Sequence, residues 1–434
     1  MIKITSTIVF FLLIISLWGQ FDERSIMTQQ ATQLMARRQY AEAEQVFRQV
    51  LQKFPSDTNS VLQLLQICYL TSQIDKAEAI LLEFNRTLPP QQYTEQMIQL
   101  YVMQGKPNLA WDLAQNYLSQ NNHDQNRYRL IASYFERRGF YEQVLELYRN
   151  ARIHNRNNDL FGLEYANTSL NYRLYRDAIT EYLRFLDKNP ANLYFVNNQI
   201  KTIIQVDSTM INVIGSFAMG AVNPVILELY ATSLVNLKRF GEALEIYKSL
   251  SYEKLQGFAT EQFTALNDDI AFAAYEHLIC IGTNEVQKAE TKYRLAQIRI
   301  RNADFASAHQ ILNDIINDQQ LSDRNVRNRT TVNMNSRKMM AELILSTTAQ
   351  IDSALVWYDA AKRFARNNLE ATEIELEITK LLIMNEAYNA AAAKLKAINE
   401  PRLNETRDFY DLILALMQNE IARADSLMNE YVIK

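Results

Sequence analysis

Five small or medium apolar residues recur in the first half of the chain at nearly constant separation. Ala43, Ala77, Ala110, Val144 and Ala178 stand 34, 33, 34 and 34 residues apart. A period of that length is the signature of stacked supersecondary units, and it argues against one globular core. The neighbours of each small residue repeat with it. Three residues earlier stand Tyr40, Ile74, Pro107, Tyr141 and Tyr175. Four residues later come Phe47, Leu81, Ala114, Tyr148 and Tyr182, and seven later Val50, Phe84, Tyr117, Ala151 and Phe185. Pro55, Pro89 and Pro190 follow three of the small residues by twelve positions.

Offsets of -3, +4 and +7 fall on one face of an α-helix, so each segment is an amphipathic helix with an aromatic stripe. A small residue inside the stripe lets a neighbouring helix approach closely. A proline just past the helix cannot continue it, so the chain turns there. A second amphipathic stretch precedes each such helix, as in residues 60–71 (SVLQLLQICYLT) and 126–138 (NRYRLIASYFERR). The unit is a helical hairpin that hides its apolar face only by stacking on the next. With nine Gly and seven Pro among 434 residues, against roughly 7% and 5% in average proteins, turn formers are too few for an all-β fold.

On these residues the segment from about 24 to 190 resembles five tetratricopeptide repeats. The resemblance implies an all-α, right-handed superhelical array of antiparallel helix pairs, an α-solenoid that acts as a binding scaffold without catalytic residues of its own. The sequence departs from the family pattern in places. Glycine before the second helix survives only as Gly105 and Gly139, with Arg38, Ser72 and Arg173 in the other repeats. The early aromatic of the first helix is replaced by Met27, Val61 and Thr94.

Beyond residue 190 the period loosens. Phe240, Ala243, Tyr247 and Leu250 restate the pattern 65 residues after Ala178, and Phe305, Ala308, Leu312 and Ile315 restate it another 65 on. Such intervals hold two hairpins, one of them degenerate. Further copies centre on Ala354, Ala391 and Ala424. The expected organisation is an N-terminal segment over 1–20, about five repeats over 21–190, degenerate repeats over 191–257 with a joint near 207–224, and tetratricopeptide-like repeats over 258–434. A helical bundle is the alternative for the last part. Residues 317–330 are expected to be irregular, and the basic stretch Arg324, Arg327, Arg329, Arg337 and Lys338 to form a surface loop.

The chain is 48% hydrophobic and 22% charged, with formal net charge -4. That excludes disorder, and the mild acidity argues against a general nucleic-acid binder. Two cysteines, Cys68 and Cys280, make neither a disulfide framework nor a four-cysteine zinc site, and both read as small buried hydrophobes. His123, His154, His277 and His309 lack partners at metal or triad spacing; the first two read as solvated turn residues. Phosphate-loop, dinucleotide and zinc-protease motifs do not occur. The expectation is therefore no enzyme, no cofactor and no metal.

The resemblance places the first helices on the concave face. Their ninth positions are Thr32, Gln66, Gln99, Ser133 and Asn167, and their second positions Ser25, Asn59, Gln92 and Asn126 before Leu160 breaks the run. Amides and hydroxyls donate and accept, so such a ladder suits an extended peptide backbone. Chaperone-binding members carry a lysine–asparagine carboxylate clamp; the corresponding fifth positions here are Thr28, Leu62, Glu95, Arg129 and Leu163, and no clamp is assembled. Arg127, Arg129, Arg137, Arg138, Arg149, Arg152 and Arg156 form a basic cluster interleaved with Glu136, Glu142 and Glu146, for which intrahelical pairing is expected. The partner class implied is a protein or peptide, with Arg129 counted among the candidate concave contacts.

Residues 1–20 carry one cation, Lys3, then an apolar run from Ile8 to Trp18, with Asp22 and Glu23 beyond. This is the pattern of a signal peptide or an uncleaved signal anchor. It implies export to the periplasm or cell envelope of a bacterium, with membrane contact only through this segment.

Overall fold

A computed structural model of the chain describes residues 23–321 and 327–433. The described residues contain 24 α-helices and no strand. The segment expected to direct export lies outside them, and no described helix is long and apolar enough to cross a membrane.

The chain divides after Ile226 into two compact units. The first holds five helix pairs: α1 (23–36) with α2 (Tyr40–Lys53), α3 (Thr58–Leu70) with α4 (Ile74–Glu83), α5 (Pro90–Met103) with α6 (Pro107–Gln120), α7 (Gln125–Glu136) with α8 (Tyr141–His154), and α9 (Gly162–Asn171) with α10 (Tyr175–Lys188). Then come α11 (Leu193–Val206) and α12 (Ile211–Ala218), joined through a 3-10 turn at Ser208–Met210. The division falls in the first turn of α13 (Pro224–Asn236), which pairs with α14 (Phe240–Tyr247). The second unit continues with α15 (Tyr252–Thr264) and α16 (Asp268–Ile281), α17 (Glu285–Arg301) and α18 (Phe305–Ile316), α19 (Arg327–Thr348) and α20 (Ile351–Lys362), α21 (Asn368–Met384) and α22 (Tyr388–Ala397), and α23 (Asn404–Met417) and α24 (Ile421–Ile433). Within each unit successive helices pack on one another as an α-solenoid.

One turn makes these pairs. The residue five before each small position has left-handed backbone, with φ between +54° and +75°: Arg38, Ser72, Gly105, Gly139 and Arg173 in the first unit, Lys238, Leu266, Ala303, Ala349, Glu386 and Asn419 in the second. Except at Ala349, where the Ala349 amide bonds to the Leu345 carbonyl and the Gln350 amide to the Thr348 hydroxyl, the turn is a helix C-cap closed by two backbone bonds. At Arg38 these run from the Gln39 amide to the Leu34 carbonyl (2.9 Å) and from the Arg38 amide to Met35 (2.9 Å); at Gly105, from Lys106 to Tyr101 (2.9 Å) and from Gly105 to Val102 (3.1 Å). The next helix starts at once, the amides of Ala43 and Ala110 bonding to the Gln39 and Lys106 carbonyls. Only two of these positions are glycine, which reaches this conformation freely. The others accept a steric cost of roughly 1–2 kcal/mol, offset by the bonds and by burial of the hairpin.

The turn also reveals a pair hidden by the sequence pattern. Leu266 precedes Ala271, whose +4 and +7 neighbours are Tyr275 and Leu278. Its -3 seat is Asp268, which pairs with Arg301 instead of filling the apolar stripe. Every small seat is sealed: Ala43, Ala77, Ala110, Val144, Ala178, Ala243, Ala271, Ala308, Ala354 and Ala391 are wholly buried, and Ala424 nearly so. Phe47, Tyr117 and Tyr148 pack in the continuous cores of the first unit, and Tyr182 is wholly buried.

Two expectations need correction. The stretch from Arg327 onward is helix α19, not a loop. Val332, Met334, Met339, Met340 and Leu343 are buried on several of its faces, which erases the amphipathic signal. Arg337 stacks over Phe364 at 4.3 Å, while Arg324 lies outside the described residues. Cys280 is exposed, whereas Cys68 is buried. Ala271, Ala274, Tyr275 and Leu278 form the buried stripe of α16, and a residue two beyond Leu278 points away from it.

Candidate functional site

The first helices of the second, third and fourth pairs, α3, α5 and α7, frame a groove in the first unit. Their starts are fixed locally. The Asp57 side chain accepts from the Ser60 amide (3.0 Å) and that of Asp124 from the Arg127 amide (3.1 Å), while α5 begins on Pro90, whose missing N–H has no helical partner to lose. Leu62, Gln66, Tyr69 and Leu70 of α3 share one wall, and Gln96, Gln99, Val102 and Met103 of α5 share another. Tyr134 of α7 and Arg137 and Arg138, just past its end, complete a groove of about 520 Å³.

The lining is apolar at its base and hydrogen-bonding along its sides. Val102 and Tyr134 are buried, and the Tyr69 hydroxyl donates to the Gln96 carbonyl at 3.4 Å. Burial pushes the Tyr69 phenol well above its ordinary range. It also lifts Tyr134 to about 12, with Glu95 adding to the effect and Arg137 opposing it. These phenols stay neutral, as donors and contact surfaces. The groove contains no carboxylate, histidine or cysteine, and among the described residues no group of three metal-ligating side chains occurs. The arrangement offers apolar contact, amide hydrogen bonds and positive charge, which is the chemistry of recognition.

Of the ninth-position ladder, Gln66 and Gln99 both line this groove. The other rungs are used internally. Thr32 donates to the Thr28 carbonyl at 2.8 Å, Ser133 to Leu130 at 2.7 Å, and Asn167 accepts from the Tyr182 hydroxyl at 2.6 Å. Second-position Ser25, Asn59 and Asn126 are exposed and do not line the groove; Gln92 holds a buried Oε1 with no protein partner. Arg129 is exposed too, pairing with Glu164 at 3.3 Å and lying over the Phe161 ring. Leu62, the fifth-position residue of the second repeat, serves as apolar wall. Reading by ladder position missed Tyr69, Tyr134, Arg137 and Arg138, because they lie near helix ends, outside the repeated position.

The arginine cluster is paired mostly between repeats, not within helices. Arg127 meets Glu95 (3.1 Å), Arg129 meets Glu164, and Arg152 meets Glu181 (2.7 Å); only Arg149 takes an acid of its own helix, Glu146 (2.9 Å). The two turn histidines are not simply solvated. Their rings stack at 3.6 Å between centroids, and His123 Nδ1 lies 3.0 Å from the Tyr128 hydroxyl. The second unit has its own groove of about 670 Å³ between α19 and α21, in which Lys338 and Lys380 accompany Glu342 and Glu377.

Residues 34–93 match the tetratricopeptide repeat family. The described residues are all-α, with the same turn and the same small seat recurring in both units. No curated protein matches the sequence. Among solved structures it is similar to yeast Tom70, at 14% identity and TM-score 0.34 over 94% of this chain and 91% of that one. It is also similar to the C-terminal part of a repeat-containing protein from Cytophaga hutchinsonii, at 15% identity and TM-score 0.33 over 60% and 97%. The Cut9–Hcn1 hetero-tetramer follows at 12% identity and TM-score 0.32 over 94% and 93%. Tetratricopeptide repeats generally mediate protein–protein interaction and are generally non-catalytic.

Proposed function

We propose that this chain is a non-enzymatic scaffold of the bacterial cell envelope that holds an extended peptide or protein segment in the groove between α3, α5 and α7. The carrying observation is that Gln66 and Gln99, from successive repeats, line one groove together with Tyr69 and the buried Val102 and Tyr134. Amide side chains match backbone N–H and C=O groups, and the apolar lining takes alternate side chains. Export is supported by the charge and apolar pattern of residues 1–20. Panning a random dodecapeptide display library on the chain should enrich binders whose affinity falls tenfold or more when Gln66→Leu and Gln99→Leu are combined. Unchanged affinity in that variant would rule the groove out.

A second reading, a structural subunit packing through its repeat edges, is supported by the last helix pair. Phe409, Leu416, Met417, Ile421 and Met428 are all exposed there, an apolar row of the kind that marks interaction sites. Sedimentation at rising concentration tests it: Leu416→Glu with Ile421→Glu should abolish any self-association.

A further inference from the structure

We propose that the groove selects segments bearing an acidic side chain beside an apolar residue, and that Arg137 and Arg138 are its specificity determinants. The proposal rests on the peptide-binding reading above and adds the chemistry of the ligand. Charge is the basis. Two guanidiniums line the groove and no carboxylate does. Within the same cluster Arg127, Arg129, Arg149 and Arg152 are committed to Glu95, Glu164, Glu146 and Glu181, whereas neither Arg137 nor Arg138 makes an ion pair among the described residues. Both are solvent-exposed, so an incoming anion need not displace a partner.

The backbone explains how two consecutive arginines reach one site. Arg137 caps α7 with φ -58°, Arg138 follows, and Gly139 at φ +75° reverses the chain. The pair lines the groove from the end of α7, with Tyr134, while Leu62 and Leu70 line it from α3. An extended segment has a repeat of about 3.3 Å per residue. A carboxylate at the arginine end therefore leaves the adjoining side chains over the leucines and tyrosines and its backbone beside Gln66 and Gln99. Guanidinium forks bind carboxylates bidentately, which favours Asp or Glu over their amides. Cations at a helix C-terminus also interact favourably with the helix dipole, but that role affects stability and not peptide choice.

The test uses the whole chain and the dodecapeptides enriched from the random library. Each is resynthesised with its acidic residue replaced by the amide, and binding is read by fluorescence anisotropy at 50 and 300 mM salt. The expected result is a tenfold or greater preference for the acidic form, weaker at high salt and abolished in Arg137→Gln/Arg138→Gln. Arg137→Lys/Arg138→Lys should recover part of it. Equal binding of acid and amide forms, or a preference that persists in the glutamine double variant, overturns the proposal while leaving the groove as a peptide site. Loss of all binding only in Gln66→Leu/Gln99→Leu, with Arg137→Gln/Arg138→Gln unaffected, has the same meaning. Binding insensitive to both double variants, or no enriched peptide, overturns both. Equal melting temperatures for the arginine variants and the parent exclude loss by misfolding.

Discussion

The Arg152 guanidinium grips the Glu181 carboxylate with its two terminal nitrogens, at 3.1 and 2.7 Å, from one second helix to the next. The two side chains expose only 12% and 8% of their surface. Arg152 also donates to the Leu160 carbonyl at 2.9 Å and lies over the Tyr165 ring, and Arg184 shares Glu181 at 3.0 Å. A buried charge is tolerable only when so thoroughly partnered.

Removing one member should therefore cost far more than a surface pair would. Glu181→Ala is expected to lower stability by about 3 kcal/mol, because Arg152 is left charged and enclosed. Arg152→Met combined with Glu181→Leu should recover most of that loss. Urea unfolding of the three proteins decides it; a deficit in the double variant as large as in the single one contradicts this account.

The left-handed turns make opposite predictions in the third and fifth helix pairs. Arg173→Gly removes a side chain held at φ +60° and should stabilise by roughly 1 kcal/mol. Gly105→Ala should destabilise by about the same amount. A Cβ there would meet nothing within 4 Å, so the entire effect would come from the backbone. A thermal midpoint that moves the same way in both variants would refute the assignment.

Thiol chemistry separates the cysteines. Cys280 is exposed and Cys68 buried, and burial raises the Cys68 thiol, with Lys76 opposing and Glu44 adding to the effect. One equivalent of a thiol reagent should react rapidly in the folded chain, and the second only on unfolding. Cys280→Ser should abolish the fast phase.

The stacked histidines give a pH dependence whose sign follows from their surroundings. Burial, and then the neighbouring His154, hold His123 below the ordinary histidine value of 6.5. The unfolded chain thus binds the proton more readily than the folded one. The contribution of this site is complete above about pH 6.5 and is lost as the pH falls through the lower folded value. His123→Asn should make the melting temperature fall less between pH 7 and pH 5 than in the parent. An identical slope would show that the stack does not titrate.

The repeat was readable in the sequence because burial forces a fixed residue type: nothing larger than valine occupies the seats from Ala43 to Ala424. The pair α15–α16 was not, since Asp268 satisfies its seat with an ion pair in place of an apolar contact. Helix α19 escaped for the opposite reason, being buried on too many sides to show a stripe. At the site, Gln66 and Gln99 were legible from position alone. Thr32, Ser133 and Asn167 occupy the same position, yet they turn to partners inside the protein. Arg137 and Arg138 stood within a cluster that composition presents as uniform, and only the placement of Glu95, Glu164, Glu146 and Glu181 shows which cations are spoken for.

The joint between the helices of each pair, the one at Ala349 excepted, closes through main-chain groups, whichever side chain occupies it: arginine, serine, leucine, alanine and glutamate all serve. Mutational drift can therefore erase every trace of these seams without undoing them. Whole helix pairs can then be duplicated, lost or exchanged like cassettes, provided the small seat five residues downstream travels with the joint.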